Sequence, residues 1–255
     1  MWKYNEDTTK PIITAKAHIE SGHKSGCEQL PSTAVLFYMH GGIEYMKLKH
    51  KGRLLLKKFP RFLNACPIYK MKDYDICFLD GGRGAPQAVD TLETLAALGV
   101  KNVITIGMFG AFGEAVESGE IIIPSKAFVE EGTSLHYYDK IEYAEPNIEL
   151  LKKAAETIDG GKALPIVSTD AVYRQTFFKE ALWREKGAVG VDMETSALYS
   201  VGKLIGINVI SILIASDKHP LNEGESVWKW TMNNKVRFKL FDKCIEFAKT
   251  IDSRR

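Results

Sequence analysis

Apolar residues in this chain cluster in two patterns. Short runs that are apolar at nearly every position, "TAVLFYM" (33–39), "DICFLDGG" (75–82) and "NVITIG" (102–107), stop at glycine-rich loops. They predict strands covered on both faces. Between the second and third runs, "APQAVDTLETLAALGV" puts Ala88, Leu92, Leu95, Ala96 and Leu98 on one helical face, with Gly99 at the C-terminal stop. Strand, helix and strand within about thirty residues form a βαβ unit with parallel strands and a right-handed crossover. Further on, "EIIIPSKAFVEEG" (120–132) reads as two strands or one bent strand interrupted at Pro124, and "NIELLKKAAETI" (147–158) as a helix. After "ALPIVST" (163–169), a second βαβ unit runs through "GAVGVDM" (187–193), "ETSALYSVGKLIG" (194–206) and "NVISILIAS" (208–216), and a last helix covers 234–251. The first thirty residues show no sustained period. The expectation is an α/β fold with an N-terminal arm over 1–30, lying on the surface or against a partner subunit, ahead of one domain over 31–255.

Composition narrows the partners. Lys and Arg number 34 against 32 Asp and Glu, a formal charge of +2, which argues against nucleic acid or an anionic membrane surface and leaves small molecules. No apolar stretch approaches the roughly 18–20 residues of a spanning helix. Cys27, Cys66, Cys77 and Cys244 are scattered, without a C-x-x-C pair, and the start "MWKYNEDTTK" carries no secretion signal. A cytoplasmic protein without a metal site is expected.

Two acids bracket the second βαβ unit, Glu194 just past one strand and Asp217 just past the next. The helix carries the chain away from the sheet edge and the next strand brings it back, so both acids finish on the edge where open α/β sheets bind ligands. Gly107, Gly110 and Gly113 fall on that edge too, and let backbone N–H groups approach a ligand. Taken alone, Glu194 reads as a helix N-terminal acid, Asp217 as a turn residue and His40 or His136 as satisfied structural histidines.

The stretch "VGVDMETSALYSVGKLIGINVISILIASD" resembles the signature of the nucleoside phosphorylase and uridine phosphorylase family, which also contains nucleosidases. "DGGRGAPQAVDTLETLAALGVKNVITIGMFGAF" is similar to that family's strand, glycine turn, helix and phosphate-side loop, and "VEEGTSLHYY" and "STDAVYRQT" to segments of its uridine phosphorylase branch. The resemblance runs from about Thr33 to Asp217. It implies a single-domain three-layer αβα sandwich around a mixed, largely parallel sheet, assembled as a homodimer or a trimer of dimers. It also implies a ribose site in which Met193 packs on the sugar and Glu194 accepts from its hydroxyls, with His136 as a ribose or subunit contact. On the base side it points to Asp217 in purine-acting members, and to Asp170, Arg174 and Gln175 where a pyrimidine is read.

The family's anion site is altered. "MHGGIEYM" puts Glu44 near an expected arginine, and "ITIGMFG" puts Thr105 and Met108 where an arginine and a hydroxyl belong. Glutamate repels phosphate and methionine offers it no donor. Gly41, Arg83, Gly107 and Met108 are the candidates on the nucleophile side, with Arg53 or Arg61 as further sources of positive charge. Three readings stay open. The first is phosphorolysis with inorganic phosphate as co-substrate and no cofactor; the second is hydrolysis by water that Glu44 activates; the third is an inactive nucleoside-binding or storage protein of the same fold.

Overall fold

The computed structural model describes residues 9–21, 29–230, 232 and 234–252. In chain order the elements are α1 (Ala15–Glu20), β1 (Thr33–Phe37), α2 (Gly42–Lys49), β2 (Arg53–Leu56), β3 (Ile68–Lys70), β4 (Ile76–Asp80), α3 (Gly84–Ala97), β5 (Asn102–Ala111) and β6 (Ile121–Glu130). There follow β7 (Tyr143–Ala144), α4 (Ile148–Thr157), β8 (Gly161–Thr169), α5 (Phe177–Glu185), β9 (Gly190–Asp192), α6 (Thr195–Ile205), β10 (Asn208–Lys218) and α7 (Asn234–Ile251).

Every residue of β1 is buried because the strand is covered twice. Successive side chains point to opposite faces. Ala34 and Leu36 join the apolar cluster that takes in α3 and α6, while Val35 and Phe37 join the one formed with α2, α4 and α7. The expected α/β architecture with a mixed central sheet is what the chain adopts. Both βαβ units are present, as β4–α3–β5 and β9–α6–β10. The segment interrupted at Pro124 is one bent strand, β6, whose register against β8 shifts between Pro124 and Ala127.

The sheet departs from a simple open one. β1 lies parallel between β4 and β5, and β5 continues parallel to β10. β10 pairs antiparallel with β6, β6 parallel with β8, β8 parallel with β9, and β9 turns back antiparallel onto β5. Five strands therefore close a ring, and β4, β3 and β2 extend from it beyond β1. Where β10 leaves the ring its register against β5 slips, with Ala215 opposite Phe109 and Asp217 opposite Gly110. Ser216 is the extra residue of a bulge, a local kink that re-aims the side chains on either side of it.

Within the first thirty residues a short helix, α1, forms where no period was expected. Thr14 caps it by accepting from the Ala17 N–H at 3.1 Å, and Ile19 packs on the core. The rest of that segment, 1–8 and 22–28, lies outside the described residues, Cys27 among them. Cys66 and Cys244 are free thiols, and among the described residues no helix is long and apolar enough to cross a membrane.

The ring closes most tightly at Gly190. A Cβ there would lie 2.3 Å from the Phe109 ring and 2.7 Å from the Gly110 carbonyl oxygen, which cannot move without disturbing β5. Gly190→Ala is expected to lower unfolding free energy by about 1–3 kcal/mol in urea denaturation. A variant with the wild-type midpoint would show that this closure is not rigid.

Candidate active site

The mouth of the ring opens into a cavity of about 1020 Å³ at the strand ends. At one side stands the junction of β9 and α6. Asp192 performs the capping there, its Oδ2 accepting from the Thr195 N–H at 3.1 Å and from the Thr195 hydroxyl, while its Oδ1 accepts from Ser168. That leaves Glu194, at the N-cap position itself, free of capping duty. Its Oε1 instead accepts from the Gly84 N–H at 2.7 Å, at the first residue of α3. Glu194 thus sits at the N-termini of two helices, where the aligned peptide dipoles favour negative charge.

Glu194 is partly buried and lines the cavity. Burial raises its pKa, the neighbouring Asp192 charge raises it further, and the Gly84 N–H and Arg83 only partly offset this. Asp192 is likewise raised by burial against the hydrogen bonds it accepts. Beside Glu194, Tyr38 lines the cavity with its ring against Gly81. Its buried hydroxyl has no partner among the described residues, and burial followed by the Glu194 charge holds its pKa well up.

Across the cavity the bulge at Ser216 delivers Asp217. This carboxylate is buried and heavily solvated by protein: Oδ1 accepts from the Ser216 hydroxyl, and Oδ2 from Trp228 Nε1 at 2.6 Å. His219 Nε2 stands 3.1 Å from the same Oδ2, and its Nδ1 lies 2.6 Å from Glu180 Oε1. Burial alone would raise the Asp217 pKa, but the bonds from His219, Ser216 and Trp228 outweigh it and hold the group below the usual carboxylate range. For His219, burial lowers the pKa and the two carboxylates more than reverse it, to about 9. At neutral pH Asp217 is therefore a carboxylate and His219 an imidazolium.

Of the candidates from sequence, Met193, Glu194, Asp217, Arg83, Met108 and Gln175 line this cavity together. Others do not. Glu44 is exposed on α2, since the glycine loop after β1 turns straight into that helix with Gly41 at φ +85° as its N-cap. His136 is exposed at the end of a short 3-10 turn, and Arg174 is exposed at the end of another although its neighbours Tyr173 and Gln175 line the wall. Asp170 is exposed and accepts from the Gly132 N–H at 2.7 Å. Gly107 is buried inside β5 against Leu213 and Tyr38. Thr105 faces inward as well, its hydroxyl bonded to Ser211 at 2.8 Å.

Tyr38, Glu180, His219 and Trp228 went unnoticed in the sequence. Only His219, two residues after Asp217, carried a local signal. Arg83 is the one arginine or lysine lining the cavity among the described residues, and its Nη1 donates to the Gly82 carbonyl at 2.6 Å and approaches Asp80 at 3.5 Å. Arg61 is buried and committed to the carbonyls of Asn64 and Asp80 and the hydroxyl of Thr91. Arg53 is exposed on β2. Among the described residues no cluster of three or more His, Cys, Asp or Glu could hold a metal ion.

The chain belongs to the phosphorylase superfamily, which it matches over residues 55–246. Similar proteins include the DeoD-type purine nucleoside phosphorylase of Clostridium novyi, 30% identical over 174 residues, which cover 66% of this chain and 71% of that protein. The corresponding phosphorylase of Caldanaerobacter subterraneus is 29% identical over 151 residues, covering 57% of this chain and 65% of its own length. Among solved structures, the purine nucleoside phosphorylase of Toxoplasma gondii in complex with immucillin-H superposes with a TM-score of 0.75. It covers 97% of this chain and 100% of its own at 15% identity, a likeness of fold.

The row of charges around His219 makes stability depend on pH. Its folded pKa of about 9 lies above the value of roughly 6.5 for a free histidine, so its contribution is complete below the lower value and disappears as pH rises through the upper one. The stability difference between wild type and His219→Gln, on the order of 3 kcal/mol at pH 6, should shrink steadily from pH 6.5 to 9.5. A flat difference over that window would rule out the imidazolium.

Proposed function

We propose that the protein cleaves the N-glycosidic bond of a purine ribonucleoside with inorganic phosphate, releasing the base and ribose 1-phosphate without a cofactor. The observation that carries this is the presence of Glu194 and Asp217 in one cavity, a ribose-side acid and a base-side acid reached from two different strand ends. The purine nucleoside phosphorylases among its relatives support the same reading.

The chemistry follows from charge. As the bond to the base lengthens, the sugar gains oxocarbenium character and the base gains negative charge. Glu194 accepts from the ribose hydroxyls and favours the growing positive charge, while Met193 packs on the sugar. Asp217 faces the base, whose departure is eased by a proton at N7. A purine is favoured over a pyrimidine because only Gln175 of the expected Gln and Arg pair reaches the cavity. Arg83 supplies the positive charge for phosphate.

A second reading, hydrolysis, draws on the scarcity of cations: Glu180, Asp192, Glu194, Asp217 and Glu223 line the same space as Arg83. Glu44, exposed on α2, gives it no support as the water-activating base. Incubation with a nucleoside panel, with and without phosphate, separates the two. Ribose 1-phosphate formed only with phosphate is expected. Free ribose in both buffers would establish hydrolysis, and binding without base release would overturn the enzymatic reading. Glu194→Ala is expected to lower kcat/KM by about 10²-fold or more; full activity in that variant would remove Glu194 from the reaction.

A further inference from the structure

We infer that His219, clamped between Glu180 and Asp217, is the positioning residue that furnishes the proton Asp217 passes to the departing base. The inference rests on the purine-cleavage reading and adds to it a proton source.

A carboxylate that protonates a leaving group must first hold a proton, and Asp217 is surrounded by donors. It accepts from Ser216, Trp228 and His219, an arrangement that stabilises the ionised form. The proton therefore has to reside next to Asp217. Of its three donors only His219 carries a readily transferable one, because a serine hydroxyl and an indole N–H are far weaker acids.

Geometry places that proton independently of any pKa. Both ring nitrogens face a carboxylate oxygen, Nδ1 at 2.6 Å and Nε2 at 3.1 Å, and carboxylates only accept, so the ring satisfies both by donating twice. The ring is fixed in place. Its own backbone N–H donates to the Ala111 carbonyl at 2.8 Å, and Gly110 opposite is the residue that leaves room for it. A Cβ at Gly110 would lie 2.5 Å from Nε2. Glu180 is itself buried, in the first turn of α5, where the helix dipole favours its charge.

In the step this implies, the C1′–N9 bond breaks and its electron pair stays with the base. The Nε2 proton of His219 moves to Asp217, and the carboxyl group so formed hands a proton to N7. Asp217 is a carboxylate again, His219 is neutral with Nδ1–H still donated to Glu180, and water from the open cavity reprotonates Nε2 for the next turnover. Glu180 thus acts through His219, and His219 through Asp217.

A nucleoside methylated at N7 needs no proton to leave, and that isolates the step. Steady-state rates at neutral pH would be compared for a purine ribonucleoside that the wild type cleaves and for its N7-methyl derivative. His219→Gln keeps an N–H donor for Asp217 but has no proton to give. It is expected to lower kcat for the unmodified substrate by about 10²-fold or more, with KM and the N7-methyl rate changed by less than about threefold. Glu180→Gln should show the same selectivity with a smaller loss. Equal losses on both substrates, or no loss on either, would reduce His219 to a structural contact and overturn the inference. Wild type that released no base from either substrate would instead overturn the proposed reaction, and the proton source with it.

Discussion

Strand β5 hydrogen-bonds to β10 along nearly its whole length, to β1 on its other edge, and to β9 near its end. β1 takes residues 102–106 on one edge of β5 and β9 takes 110 and 111, and the closure of the ring through β9 brings the ends of β9 and β10 to one opening. Glu194 follows the first of these strands and Asp217 ends the second. Had β9 paired elsewhere, the two acids would still lie at strand ends but would not share a cavity. The bulge at Ser216 belongs to the same constraint, because it is where β10 parts from its register with β5. Gly190 is small because a Cβ there would meet the Phe109 ring and the Gly110 carbonyl across the closure, and Gly110 because a Cβ would meet the His219 ring.

Closing strands around an opening also crowds carboxylates, and the two sides of the cavity resolve that differently. On the ribose side burial raises the pKa of both Asp192 and Glu194, and the Asp192 charge raises Glu194 further against the pull of Gly84 and Arg83. On the base side a histidine is interposed between Glu180 and Asp217, and charge is stabilised instead. One side favours the protonated form of its acids, the other the charged forms of Asp217 and His219. Such opposed environments within one pocket are how a single fold assigns different acid–base work to like side chains.

Much of this was legible in the sequence. The βαβ periodicity locates strand ends, and strand ends locate Glu194 and Asp217, whereas Met193 and Met108 come from the family resemblance. What could not be read depends on contacts with no local spacing. Glu180 and His219 are brought together by α5 folding under the ring, and nothing in "FFKEALWRE" announces a partner beyond α6. Glu44 was suggested by the resemblance alone, as a glutamate in the loop after the first strand, whereas α2 begins at Gly42 and leaves Glu44 exposed. The ring itself was invisible. Uniformly apolar strands say that both faces are covered but not which strand lies beside which.

On the proposed reaction, an incoming phosphate dianion meets one arginine and several acids among the described residues lining the cavity, and that imbalance repels it. The raised proton affinity of Glu194 eases the problem, since a carboxyl group that takes up a proton no longer opposes the anion. Positive charge growing on the sugar then reverses the preference, favouring the carboxylate at the moment when its charge is useful. The loss of the customary basic groups from the nucleophile side is therefore compatible with phosphorolysis. Its cost is a narrower pH range, because Glu194 must take up a proton before the bond breaks and release it to water in the open cavity as the sugar becomes cationic.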